Sequence, residues 1–235
     1  MMIFLLLPVL AAADAGTVAA PPAMNAETQA LVDRLQAFYE KANDFTADFK
    51  QDYTYKAFKR TLTSTGKVVY LRAEKGPQMR WDYEKPDPKS FVLAQDKVRV
   101  YDPAAQQLTL APMSTDKLSA SVSFLWGQGR LATEFSIVKK DCAKCTGVLL
   151  ELTPLRPDPR FKQVRLGVDP KTAQVLKSTM VDPDGSENAI TFSNLKVNAA
   201  VKAEAFIISY PKGTQIVDMT KAGGAAPAPS KDGGV

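Results

Sequence analysis

The stretch Gly66–Gln107 reads GKVVYLRAEKGPQMRWDYEKPDPKSFVLAQDKVRVYDPAAQQ, and it decides the fold. Side chains alternate in character along it with period two, the period of a β-strand. Met79, Trp81 and Tyr83 fall on one face, and Arg80, Asp82 and Glu84 fall on the other. Large apolar groups on one side and salt-forming groups on the other describe a sheet that is wet on one face only. The bulky face must then be covered by a core, a lid or a ligand.

Working outward, similar runs recur on both sides. FTADFKQDYTY precedes the stretch, and QLTLAP, EFSIVKK, GVLLELT, KQVRLGV, QVLKSTMV, AITFSNLKV and AFIISY follow it. Turn chemistry separates them at Lys85-Pro86-Asp87-Pro88, Asp102-Pro103, Asp169-Pro170 and Asp182-Pro183-Asp184-Gly185. Short, regular spacing predicts a meander of antiparallel strands rather than βαβ units. Two segments break the pattern. From Asn25 to Lys41, Leu31, Leu35, Phe38 and Ala42 share one side at helical spacing, with Val32 and Tyr39 widening the stripe and Asn25 as cap. From Ser114 to Gly127, Leu118, Val122 and Leu125 follow the same period behind a capping Ser114. This second helix is either a crossover that covers the core or a movable lid.

The chain has 235 residues, 45% of them hydrophobic, enough for one domain with a real core. Its net charge of +5 comes from scattered cations such as Lys56, Lys59, Arg60, Lys139 and Lys140. No dense basic run marks a nucleic-acid footprint. A solvated surface is the plain reading, with attraction to anionic membranes as the weaker one. Residues 1–15 read as a secretory signal peptide, with an apolar run from Ile3 to Leu10 and cleavage near Ala13 or Ala15. Export to a soluble form is expected, with a folded domain over residues 24–218 and a low-complexity, disordered tail over 219–235. No cysteine lies near the cleavage site to take a lipid. The two cysteines, Cys142 and Cys145, sit in C-A-K-C between the runs FSIVKK and GVLLELT. A disulfide stapling a hairpin turn is the leading reading. A redox-active pair and a metal site are the alternatives, the latter lacking further ligands.

The chain contains no histidine. That removes Ser-His-Asp and Cys-His triads, imidazole metal sites and imidazole acid/base work. No Walker A or G-x-G-x-x-G pattern is present, and no carboxylate stands out from a surface pattern. We expect no catalytic residues, no cofactor and no metal. What remains is a binding or carrying role on the apolar face.

Several motifs then occur in order: Phe45-Thr46-Ala47-Asp48-Phe49-Lys50-Gln51, Gly66, Arg72 through Trp81-Asp82-Tyr83, and Tyr101-Asp102-Pro103 with Gln106 or Gln107. Leu152-Thr153-Pro154, Asp184-Gly185, Phe206 and Pro211-Lys212-Gly213 follow. In this order and spacing the chain resembles the LolA family of periplasmic outer-membrane lipoprotein carriers, roughly from Glu27 to Asp218. The resemblance implies an α+β, mainly β fold. It would be an incomplete, unclosed antiparallel β-barrel, with an N-terminal helix and short helices forming a lid over an apolar cavity. It implies a monomeric periplasmic carrier that takes acylated lipoproteins from an inner-membrane ABC transporter and passes them to a LolB-like acceptor at the outer membrane. The family's latch arginine maps onto Arg72, its cavity tryptophan onto Trp81, and its amphipathic helix places Leu31 and Leu35 against the cavity. The turn after Arg72 is longer than the family's usual one, and Asp96-Lys97 stands where the family often has Asp-Gly.

The residues themselves support such a role. A chain of about fifteen methylenes carries a penalty in water near 12 kcal/mol. A carrier must remove much of it and still let go, which suits loosely packed aromatic and Met surface. By strand parity the inward faces are Val68-Tyr70-Arg72 and Met79-Trp81-Tyr83. The expected acyl-binding set is thus Leu31, Leu35, Val68, Tyr70, Met79, Trp81 and Tyr83. Arg72, on an otherwise apolar face, is expected to be buried and to latch the lid segment around Leu118, Val122, Leu125 and Trp126 through backbone carbonyls. The alternatives are a periplasmic sensor or adaptor that uses the same half-barrel to bind lipid or a protein partner, and a CxxC oxidoreductase.

Overall fold

A computed structural model describes residues 24–113 and 130–220. The expected signal peptide, the helix carrying Leu118, Val122 and Leu125, and the tail from residue 221 lie outside the described residues. Helix α1, Ala26–Lys41, opens the fold. Asn25 caps it, its side-chain oxygen accepting from the Thr28 N–H at 2.8 Å. Leu31, Val32, Leu35 and Tyr39 are its buried stripe.

Twelve strands follow among the described residues: β1 (Asp44–Tyr55), β2 (Arg60–Ala73), β3 (Gly76–Lys85), β4 (Lys89–Ala94), β5 (Lys97–Asp102), β6 (Gln107–Pro112), β7 (Phe135–Lys140), β8 (Val148–Pro154), β9 (Gln163–Val168), β10 (Val175–Val181), β11 (Glu187–Val197) and β12 (Gln215–Asp218). A four-residue helix, α2 (Leu131–Glu134), leads into β7. The strands form one sheet in the order β12-β6-β5-β4-β3-β2-β1-β11-β10-β9-β8-β7. β7 and β12 are its two edges, so the sheet is unclosed. Short hairpins account for most of the order. Between β4 and β5, Gln95 and Asp96 both take positive φ (54° and 57°), the left-handed pair that a two-residue hairpin turn demands.

One face of the sheet surrounds α1. Met79 from β3, Val68 and Tyr70 from β2, Phe45, Ala47 and Phe49 from β1, and Leu150, Leu152, Val164 and Leu166 from β8 and β9 belong to a single buried cluster with Leu31, Val32, Leu35 and Tyr39. Gly66 lets β1, β2 and β3 meet there. A Cβ at that position would run into the Asp82 carbonyl oxygen and lie 2.8 Å from the tip of the Phe49 ring.

The opposite face departs from the wet surface expected of it. Val92, Ala94, Leu108, Phe206 and Ile208 form a second buried cluster, flanked by Val69, Leu71, Tyr101 and Leu110. The run AFIISY, expected as a strand, instead lies across this face. It starts in a 3₁₀ turn over Ala203–Phe206 and continues without ladder pairing. The cause is Arg80, which donates to the carbonyls of Ala205 (2.9 Å) and Ile207 (3.2 Å) and takes those acceptors from any neighbouring strand. Phe206 and Ile208 keep their alternation, and their buried face is the outside of the sheet. The chain then returns as β12, parallel to β6, so the sheet is not a pure antiparallel meander. Met219, placed by the sequence in a disordered tail, still donates its N–H to the Leu110 carbonyl at 2.7 Å. Cys142 and Cys145 are joined by a disulfide in the connection between the paired strands β7 and β8.

Candidate functional site

The interior under α1 is built mainly of rings. On β1, residues of one parity (Phe45, Ala47, Phe49) turn inward, and β2 and β3 answer with Val68, Tyr70, Met79 and Trp81. Phe45 and Tyr70 stack at 5.0 Å between ring centroids, while Phe49 meets Trp81 and Tyr83 edge-on, each at 5.0 Å. Trp81 continues to Phe192 at 6.3 Å, and Tyr39 of α1 reaches Phe45 at 6.4 Å. Edge-on and tilted rings fill space less uniquely than branched aliphatics, and they can re-pack around another apolar partner.

Polar groups appear where the rings reach the rim. Tyr39 accepts from the Val175 N–H at 3.2 Å, and burial pushes its phenol well above the ordinary tyrosine range. Tyr83 donates to Gln51 at 2.8 Å, with burial again raising its pKa, and Gln51 passes the chain on to Asn188 at 2.8 Å.

Within this wall lies an apolar cavity of about 10 Å³, lined by Tyr39, Phe45, Ala47, Val68, Met79, Trp81, Val175, Phe192 and Leu195. That is space for roughly one water molecule. Among the described residues, the rings of this wall pack against one another and leave little free space between them. Of the seven residues expected to line an acyl cavity, Val68, Met79 and Trp81 line this small one. Leu31, Leu35 and Tyr70 are buried in the surrounding cluster, and Tyr83 packs at its edge.

Phe192 and Leu195 escape a parity reading, because they lie three residues apart on one strand yet face the same way. The register of β1 against β11 shifts between Thr46 and Asp48, and Asn194 sits at φ 54° in the resulting bulge. The Asn194 amide donates to the Asp48 carboxylate at 2.6 Å and holds the bulge in place. Only the Ser-Asn pair within AITFSNLKV hinted at it.

Helix α1 is the described cover of this interior. On one side Lys139 pairs with Glu27 at 2.7 Å, and Arg34 donates to the Pro170 carbonyl at 3.0 Å. On the other side stands Arg72. Its Nε and Nη2 donate to the carbonyls of Ala42 (3.2 Å) and Tyr39 (3.0 Å), the open acceptors at the helix C-terminus. Its backbone N–H also donates to Asn43 at 2.7 Å. Arg72 was expected to be buried and to hold the segment around Leu118–Trp126. It is exposed, the carbonyls described for it are those of Tyr39 in α1 and of the cap Ala42, and the expected partner segment lies outside the described residues. The reason is position: β1 pairing with β2 ends at Leu71, so Arg72 lies just past the start of β1, level with the end of the helix, while it stays paired with β3.

Comparison with known proteins places this architecture. The family model described as "Outer membrane lipoprotein carrier protein LolA" matches residues 40–209. An outer-membrane lipoprotein carrier protein of Dechloromonas aromatica is 27% identical over 187 residues, covering 79% of this chain and 86% of that one. Another from Chromohalobacter salexigens is 28% identical over 207 residues, covering 88% and 95%. Among solved structures, an uncharacterized conserved protein from Thermus thermophilus shares the fold with a TM-score of 0.51 at 14% identity, covering 81% of this chain and 98% of that one.

Proposed function

We propose, from the premise that the chain belongs to the LolA family of outer membrane lipoprotein carrier proteins, that it shields the acyl chains of lipoproteins in the periplasm. In this reading it receives them from an inner-membrane ABC transporter and releases them to a LolB-like acceptor at the outer membrane. The family is one of carriers, not of enzymes. Among the described residues no helix is long and apolar enough to cross a membrane.

The observation that carries the reading is a ring-lined interior under helix α1, which is tied at its rim by a few polar contacts. Those contacts are Glu27–Lys139, Arg34–Pro170 and Arg72 to the end of α1. Such a cover can lift without unfolding the sheet. The close packing of the described rings also explains how a carrier lets go. An entering acyl chain gains about 0.8 kcal/mol per buried methylene, but it must first separate side chains that already satisfy one another. The difference, not the gross burial, sets the affinity. Arg72 then acts as a latch on α1, engaged while the interior is closed on itself. Leu31, Leu35, Val68, Tyr70, Met79, Trp81 and Tyr83 form the surface that an acyl chain meets once α1 moves.

The test uses a Trp126→Phe background, so that Trp81 is the sole indole. Titration with acylated lipoprotein should shift Trp81 emission, and the same polypeptide without its acyl groups should not. Equal responses to both would leave a protein-binding adaptor in place of a carrier.

A further inference from the structure

We infer that the tip of the β1–β2 hairpin is a docking element for an anionic lipid surface. The hairpin outruns both neighbours. Pairing of β2 with β3 stops at Thr65–Lys85, and pairing of β1 with β11 stops at Thr54–Glu187. β1 stays beside β11 as far as Thr54, opposite Thr61, so only the Tyr55–Arg60 pair and the turn between them extend past both neighbouring strands, with the Lys56 N–H donating to Ser186 at 3.2 Å at the base.

This projection has two faces of opposite chemistry. One is polar and satisfied within itself: Thr54 and Thr61 share a hydrogen bond at 3.0 Å, and Thr63 donates to Asp52 at 2.6 Å. The other continues the parity of the ring-lined interior and carries Tyr53, Tyr55 and Leu62. The Tyr53 and Tyr55 rings stand 4.6 Å apart, and Tyr55 leads to Phe58 at 6.3 Å. Phe58, at the tip, is 79% exposed, and Leu62 is 42% exposed. No other large hydrophobic among the described residues is as exposed as Phe58.

Cations surround that ring. Lys56, Lys59 and Arg60 lie within two residues of Phe58, and among the described residues none of them takes part in a salt bridge. The carboxylates nearest the tip are engaged elsewhere. Asp52 accepts from Lys50 and Thr63, Asp182 from Tyr53, Asp184 from Ser186, and Glu187 pairs with Arg165. Lys56 and Lys59 stand in the turn, with Lys59 in the left-handed region at φ 48°, and Arg60 opens β2 beside it.

An apolar ring at the end of a narrow projection, ringed by free cations and backed by tyrosines, matches the layering of an anionic bilayer. The ring enters the acyl boundary, and the cations meet the headgroups. A rigid protein groove would call for a broader, shaped surface than one hairpin turn. The docking point is also remote from α1. Arg72 stands twelve residues along β2 from Arg60, about 40 Å at strand rise. Contact at the tip therefore leaves the helix free to move.

The experiment uses the chain as an exporting host processes it, with no lipoprotein present, so its outcome is independent of the carrier reading. Co-sedimentation is measured with phosphatidylglycerol–phosphatidylcholine vesicles and with pure phosphatidylcholine vesicles. We expect preferential binding to the anionic vesicles, weakened by salt. Phe58→Ser should lower that partition about tenfold. Lys59→Glu and Arg60→Glu should each lower it about fivefold. Phe58→Trp should show a blue-shifted emission with anionic vesicles only. Equal partition of the wild type and Phe58→Ser would overturn the inference. So would equal binding to both vesicle types, or tip variants that keep vesicle binding but lose capture of a purified protein partner.

Discussion

The two faces of the sheet around β2 and β3 are both covered, and they are covered in different ways. The inner cover is α1, a separate helix that buries five side chains and is tied at its ends by exposed or half-exposed polar contacts. The outer cover is the segment from Val201 to Ile208, pinned by Arg80 from within the sheet and continued into it by β12. Rings and Met79 lie under the first cover, and mostly small aliphatic residues lie under the second. Arg80 is held in turn by Asp82 at 2.7 Å, and Asp82 accepts from Ser90 at 2.6 Å. In the proposed carrier reading, one sheet thus carries a cover that is released and a cover that stays. The chemistry of each pin matches its role, since a paired and shielded guanidinium is costlier to displace than an exposed one.

The comparison can be broken most forcefully at the outer cover. Phe206→Ala removes its buried anchor and should cost about 3–5 kcal/mol in denaturant unfolding. The acyl affinity of the molecules that remain folded should be unchanged. An equal loss of acyl binding would mean that the two faces are coupled. Next comes the strand contact beneath the inner face. Gly66→Ala forces a methyl against the Asp82 carbonyl and the Phe49 ring, so we expect a loss of about 1–3 kcal/mol, read as a lower melting temperature.

Arg72→Leu should cost less, about 1 kcal/mol, because the guanidinium is exposed. Its effect should be local. Amide hydrogen exchange in α1 should accelerate while β8 and β9 stay protected, and retention of acylated cargo should change. Uniform exchange throughout the protein would remove Arg72 from the latch role.

The smallest effect is expected from pH within the ordinary range. The chain has no histidine, and its two cysteines are bonded, so no side chain with an ordinary pKa between 5 and 8 is available to open the cover. Stability should be nearly flat there. It should fall in acid. Hydrogen bonds from Thr63 to Asp52 and from backbone N–H groups to Asp102 and Asp169 hold these carboxyls below their usual values. Their contribution is present above the unfolded carboxylate pKa and is lost as pH falls through the lowered, folded values. Stability should fall again in strong alkali. The hydrogen bond to Asp182 pushes Tyr53 up to about 12, and burial raises Tyr39, Tyr70 and Tyr83. That contribution is complete below the unfolded tyrosine pKa and disappears as pH rises through the folded one. Thermal melts across the pH range check both arms, and a melting temperature that moves steeply between pH 5 and 8 would contradict the account.

Much of this molecule was open to a reading of strand parity. Met79, Val68 and Tyr70 point inward as their alternation predicts, and the turn chemistry marks most hairpins. Parity failed wherever a long-range partner changed the backbone. The bulge at Asn194 turns Leu195 to the same side as Phe192, and it depends on Asp48, 146 positions away. Arg80 reads as a surface charge from its neighbours, yet it organises a segment 125 positions later in the chain. Phe206 and Ile208 alternate like a strand because they line an apolar surface, and alternation alone does not say whose surface it is.

The sequence alone determined that this protein is built on alternating strands with a bulky inward face and an amphipathic helix to cover it, without the groups for imidazole chemistry. Period and composition are local properties, readable within a few residues. Tertiary structure alone decided that the ring-lined wall leaves a cavity of only about 10 Å³ among its described side chains, that Arg72 reaches the end of α1, and that the outer face is roofed by the chain's own C-terminal part. Those outcomes depend on which distant groups compete for the same carbonyl or the same apolar surface, and that competition exists only once the chain has brought them together.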